Sequence, residues 1–112
     1  MNEKKLVYLA IPYSHPDESV RNFRFETANR IASELMRAGL FIYSPISHSH
    51  PIALAGGLPL GWDFWEKYDR AILESCWKII VVQVDGWDKS SGVSEEIKIA
   101  KELGLCVEFI KP

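Results

Sequence analysis

The sequence predicts a small α/β protein: a doubly wound, Rossmann-like parallel sheet of about four strands with helices on both faces. Two observations predict it. Four short apolar runs, Leu6 to Ala10, Leu40 to Tyr43, Lys78 to Val84 and Leu105 to Ile110, are continuous rather than alternating, as strands buried on both faces read. Between them the spacing changes to a helical period, giving the order β-α-β-(loop)-α-β-α-β. Parallel neighbours need right-handed crossovers, which make 2-1-3-4 the expected strand order. Ligands of such folds bind beyond the carboxyl ends of the strands, near the switch point between strands 1 and 3.

Each element has its own signal. The first run ends at Pro12, which fixes φ and lacks an N–H to donate. From Asp17 to Ala38, Val20, Phe23, Thr27, Ala28, Ile31 and Leu35 form an apolar stripe, and Gly39 stops the helix. The second strand follows at once. Ser44 to Leu60 contains three prolines, two adjacent glycines and Ser47-His48-Ser49-His50, so it reads as one long loop of functional type. Gly61 to Ser75 reads as a helix with Trp65, Tyr68, Asp69, Ile72 and Cys76 on one side. After the third strand, Gly92 to Leu103 is the next helix, ended by Gly104 before the last strand.

Composition narrows the functional classes. Residues 1–112 suffice for one core and so for a single domain. A net charge of −2 supplies no footprint for a nucleic-acid polymer or an anionic membrane. No apolar stretch approaches the roughly 20 residues that span a bilayer. Met1-Asn2-Glu3-Lys4-Lys5 leads straight into a strand without the pattern of a signal peptide. Cys76 and Cys106 stand in apolar surroundings without CxxC spacing, which suits reduced core residues of a cytoplasmic protein.

Chemistry enters at Ser90-Ser91-Gly92-Val93-Ser94-Glu95-Glu96-Ile97-Lys98-Ile99-Ala100, directly after the third strand. Val93, Glu96, Ile97 and Ala100 fall at i, i+3, i+4 and i+7, so Glu96 lies inside an apolar stripe while Glu95 points away. A carboxylate on the inward face costs desolvation unless it is paired or working. Asp69 occupies the same kind of position on the preceding helix, four residues after Trp65 and three before Ile72. Two inward carboxylates beside one cleft are the tools of glycosidic bond cleavage, where retaining enzymes hold them roughly 5–5.5 Å apart. The ordinary alternative is a half-buried glutamate paired with a lysine.

Val7-Tyr8-Leu9-Ala10-Ile11-Pro12-Tyr13, Asp69, and Ser91-Gly92-Val93-x-x-Glu96-x-x-x-Ala100 together resemble the nucleoside 2-deoxyribosyltransferase superfamily, which includes deoxynucleoside 5′-monophosphate N-glycosidases. The likeness is closest to a short bacterial and phage branch carrying Pro-Tyr-Ser-His and Ser-His-Pro segments. It covers nearly the whole chain in order and spacing. It implies that Glu96 is the nucleophile that forms a covalent deoxyribosyl-enzyme and that Asp69 assists the departing base. It also implies that Tyr8, at the end of the first strand, holds the carboxylate of Glu96. The superfamily's transferases carry an aspartate six residues before the nucleophile, where this chain has Ser90. A serine there is similar to the monophosphate hydrolases, in which it helps bind the 5′-phosphate. Trp77 replaces the usual aspartate before the third strand. The resemblance therefore implies a nucleoside or nucleotide as small-molecule substrate, with hydrolysis favoured over deoxyribosyl transfer. It also implies a homo-oligomer, a dimer or higher, that closes its site with a neighbour's residues.

The remaining candidates come from the predicted strand ends. Ser90, Ser91 and Gly92 make a short turn at a helix N-terminus that suits an anion. Pro12, Tyr13, Ser14 and His15 form the turn after the first strand, and Arg21 opens the helix beside it. Arg21 and Arg24 are either phosphate ligands or ordinary solvated arginines. His15 and His50 suit lining the pocket or bonding its backbone, and Trp65, Tyr13, Trp62 and Trp87 suit either stacking on a base or packing in the core or a subunit interface. His48 and His50 at i, i+2 lack a third ligand at useful spacing, so neither a metal nor any other cofactor is expected. The GxGxxG fingerprint is absent after the first strand. A different class of function stays open: a nucleotide-binding or sensing module that keeps the fold and turns over weakly.

Overall fold

The computed structural model describes residues 5–112. Its elements run β1 (Leu6–Ala10), α1 (Glu18–Arg37), β2 (Phe41–Tyr43), α2 (Pro45–Gly56), α3 (Trp62–Leu73), β3 (Cys76–Val82), a 3-10 turn at Trp87–Lys89, α4 (Ser91–Glu102) and β4 (Cys106–Ile110). The sheet is four-stranded in the order β2-β1-β3-β4, and every pair is parallel. The expected fold class and strand order are both present. The signal-peptide question falls on Met1–Lys4, outside the described residues.

The sheet separates two apolar layers. Val7, Leu9 and Ile11 point to one face and meet Ala28, Ile31 and Ala32 of α1 and Ile46 of α2. Tyr8 and Ala10 point to the other face, where Leu73 of α3 and Val93, Ile99 and Ala100 of α4 cover Ile79 and Val81. The period-two alternation of a strand thus sends neighbouring residues of β1 into different cores. Leu73, Ile79 and Val81 are completely buried. Truncating such a leucine to alanine costs about 2–5 kcal/mol.

The β1–β3 pairing carries one irregularity. Leu6 stands opposite Cys76 and Val7 opposite Lys78, leaving Trp77 as an extra residue. Cys76 belongs to the α3/α4 layer, whereas Trp77 packs against the α1 layer.

Several sequence expectations need correction. Ser44 to Leu60 is not one long loop, because residues 45–56 form α2. Ser44 is its N-cap, Pro45 stands in the first turn where its missing N–H costs nothing, and Gly57 ends it in the left-handed region at φ 65°. Pro51 lies inside the helix and deletes one backbone bond, which the burial of Pro45, Ile46, His50 and Ala53 outweighs. Phe23 and Tyr68 are exposed rather than part of buried stripes. In α4 the buried set is Val93, Glu96, Ile99 and Ala100, with Ile97 only partly covered. Cys106 is exposed on the edge strand β4, whereas Cys76 is buried; both are free thiols. Tyr8 lies in the middle of β1, not at its end. Among the described residues no helix is long and apolar enough to cross a membrane.

Candidate active site

Three polar side chains meet on the α3/α4 face of the sheet. Tyr8 is fully buried because β1 turns it into that layer, and its hydroxyl donates to Glu96 Oε2. Glu96 is held in place by the way α4 begins. Ser90 is the N-cap, its Oγ accepting from Val93 N at 3.2 Å, and the helix then carries Glu96 inward about a turn and a half later. Asp69 arrives from α3 and, like Glu96, is only 7% exposed. Its Oδ1 is buried without a hydrogen-bond partner.

Burial sets the protonation of this group. Desolvation pushes Asp69 up to about 6, and the Tyr8 hydroxyl opposes that rise. Glu96 is pushed up to about 8, first by burial, then against the pull of Tyr8, with the charge of Asp69 adding to the rise. Tyr8 is raised well above the ordinary phenol value by burial and by the negative charges of Glu96 and Asp69. Near neutral pH the two carboxyls together hold about one proton. One group can then act as an acid while the other acts as an anion.

Both carboxyls line one cavity of about 260 Å³ beyond the carboxyl ends of β1 and β3. That is just below the usual range of ligand pockets, ~300–1,000 Å³, so it admits a small molecule. Its floor includes Leu9 and Ile11, and one wall is the start of α4 with Ser90, Ser91, Gly92 and Val93. The opposite wall is α2, through Pro45, Ile46, Ser49, His50 and Ala53. Leu60, Gly61, Trp62 and Trp65 close the side. Trp65 is fixed by its indole N–H donating to Pro59 O at 2.8 Å. Trp62 lies 3.8 Å from where a Cβ on Gly92 would stand, an ordinary van der Waals contact, so the indole packs along the start of α4.

The structure brings together Glu96, Asp69, Ser90, Ser91, Gly92, Tyr13, Ser14, His50 and Trp65 around this cavity. Tyr8 lies beneath it, reaching Glu96 from below. Pro12 is fully buried and does not line it. His15 and Arg21 do not line it but an adjoining shallow depression, which shares Ser14, Leu60 and Gly61 with it. Arg21 donates to His15 O, and Arg24 donates to Ser14 O at 3.1 Å and Asp85 O at 3.3 Å, so both arginines hold the strand-end loops. Among the described residues no group of three or more His, Cys, Asp or Glu side chains could hold a metal.

Sequence reasoning missed two features of this site. Lys89 lines the cavity immediately before Ser90 and sets a cation beside the N-terminus of α4; a solvated lysine is too common a neighbour to stand out. Ser49 lines it as well, with Oγ buried and unpartnered, and reading residues 44–60 as a loop hid it. A family model described as a domain of unknown function (DUF1937) matches residues 5–111. No curated protein matches the chain.

Proposed function

The chain belongs to the DUF1937 family, and for it we propose cleavage of the N-glycosidic bond of a 2′-deoxynucleoside 5′-monophosphate, or of the free 2′-deoxynucleoside. The observation that carries this reading is the convergence of Glu96, anchored by Tyr8, and the unpaired Asp69 on one cavity of small-molecule size. Kinship with the nucleoside 2-deoxyribosyltransferase superfamily is part of the same proposal.

The ionised Glu96 attacks C1′ as the bond from C1′ to the base nitrogen breaks, and protonated Asp69 gives its proton to the departing base. The product is a glycosyl ester on Glu96. Water then attacks C1′, the ester bond breaks, and Asp69 takes up the proton of the water. A second base in place of water gives deoxyribosyl transfer. A 2-deoxy sugar reaches the oxocarbenium-like state more readily because no 2′-hydroxyl withdraws electrons from it. Hydrolysis of a monophosphate is favoured by the N-terminal end of α4, where the free N–H groups of Ser91 and Gly92 and the charge of Lys89 suit a 5′-phosphate.

The reading carries with it a homo-oligomeric, cytoplasmic enzyme of nucleotide metabolism. Leu54 and Phe64, each next to a cavity residue, and Ile52 nearby are exposed apolar side chains suited to a neighbouring subunit. Light scattering on the purified protein tests that point, and a monomer would count against it.

The decisive experiment incubates the protein with each deoxynucleoside monophosphate and follows free base by chromatography. Glu96→Ala should lower release by about a thousandfold or more. Release that survives the substitution removes the proposed nucleophile. One feature favours a second reading, a nucleotide-binding or sensing module: burial pushes Glu96 up to about 8, which disfavours its ionised, nucleophilic form. Calorimetry that finds tight nucleotide binding without base release would select it.

A further inference from the structure

The α2 wall differs from the rest of the cavity in carrying no charge. Residues 38–62 contain no Asp, Glu, Lys or Arg, in a chain that is 25% charged. Charged cavity residues, Lys89 and the two acids, come from the 3-10 turn, α3 and α4. On the uncharged side stand His50 and the unpartnered Ser49 Oγ. His50 is 5% exposed, its ring packed on Phe25 at a centroid distance of 4.4 Å. Its Nδ1 meets the Tyr13 hydroxyl, and its Nε2 makes no hydrogen bond among the described residues.

Either member of that pair can carry the shared hydrogen, and where the phenol donates, His50 Nδ1 accepts. An imidazole that accepts at Nδ1 and stays neutral carries its own hydrogen on Nε2. Burial and the charge of Arg21 both disfavour protonating the ring. In that arrangement Tyr13 is a positioning residue, and His50 offers one N–H donor on the uncharged wall.

We propose that His50 Nε2–H, on the same wall as Ser49, reads an exocyclic oxo group on the nucleobase, so that the site prefers 6-oxopurine and 4-oxopyrimidine nucleotides over their amino counterparts. This rests on the glycosidase reading for the placement of the sugar at Glu96 and the phosphate at the start of α4. The uncharged heterocycle is the part of the ligand left for the uncharged wall. An amino group there would set one donor against another, leaving a buried N–H unpaired.

Calorimetry on the Glu96→Gln protein, which keeps the ligand intact, compares two matched pairs: deoxyinosine against deoxyadenosine monophosphate, and deoxyuridine against deoxycytidine monophosphate. The oxo member should bind on the order of tenfold tighter in each pair. His50→Phe should bring both ratios close to one. Nitrogen-15 NMR of the imidazole supplies a readout independent of turnover: the wild-type ring should be the Nε2–H tautomer, and Tyr13→Phe should shift that population. Equal binding within both pairs, or a wild-type Nδ1–H tautomer, overturns the inference and leaves the glycosidase reading standing. No binding by any of the four nucleotides overturns both.

Discussion

Tyr8 and Glu96, 88 positions apart in sequence, are joined by a hydrogen bond from the phenol to carboxylate Oε2 in the buried layer between sheet and helices. The contact ties the nucleophile candidate to the central strand pair rather than to a loop. A buried phenol donating to a carboxyl stabilises the anion against the desolvation that opposes it. Asp69 beside it keeps one carboxylate oxygen, Oδ1, without a hydrogen-bond partner.

The pH dependence of base release follows from these groups. With Glu96 at about 8 and Asp69 at about 6, the working state, Glu96 ionised and Asp69 protonated, is the minor arrangement of the shared proton. The rate should rise through about pH 6, level off, and fall above about pH 8. Tyr8→Phe removes the donor that holds the Glu96 value down, so the alkaline limb should move to higher pH as turnover falls. A profile flat from pH 5 to 9 would exclude this pair as the acid and the nucleophile.

Stability should report the same burial with its own sign. The folded value of Glu96 lies above its ordinary 4.5, so the native state binds more protons than the unfolded chain between those values. Stability from this group is fully present below about pH 4.5 and is lost as pH rises toward 8. Glu96→Gln removes that dependence. Melting at pH 5 and pH 9 should find the variant gaining on the wild type by a few kcal/mol at the higher pH. Parallel curves would mean that Glu96 is not desolvated as described.

Lys89→Ala should act on phosphate rather than on chemistry. The expected result is a KM about tenfold higher for a deoxynucleoside monophosphate, with the free nucleoside little affected. The difference should shrink at high salt, since an exposed cation is screened. An equal change for both substrates would place the phosphate elsewhere.

The wall formed by α2 depends on its end. Gly57 sits at φ 65° with open space around its Cβ position, so a substitution there meets backbone strain and no clash. Gly57→Val should destabilise the protein by about 1–2 kcal/mol, and Gly57→Asn by less, because asparagine tolerates the left-handed region. Chemical denaturation of the two variants measures the difference. Equal losses would point to a cause other than this angle.

The strands and their order were legible because each is an uninterrupted apolar run bounded by proline, glycine or a helical stripe. Glu96 and Asp69 were legible as polar residues at apolar positions of otherwise regular helices. The helix at residues 45–56 was not. Its two prolines and the glycines at its end carry strong local signals for a loop, while burial of Ile46, His50 and Ala53 at helical spacing, a tertiary effect, decides the outcome. The meeting of Tyr13 with His50 could not be read either, since it depends on how α2 crosses the end of the sheet.

The supernumerary Trp77 makes one point of β3 tolerant of a change in chain length. With Trp77 deleted, Cys76 and Lys78 would still face Leu6 and Val7, and Ile79 and Val81 would keep their side of the sheet. Excising a single residue a step later, at Ile79 or Ile80, would turn the remainder of the strand inside out and carry β4 with it. Insertions and deletions among natural variants of this domain should therefore gather at position 77 and spare the five residues that follow.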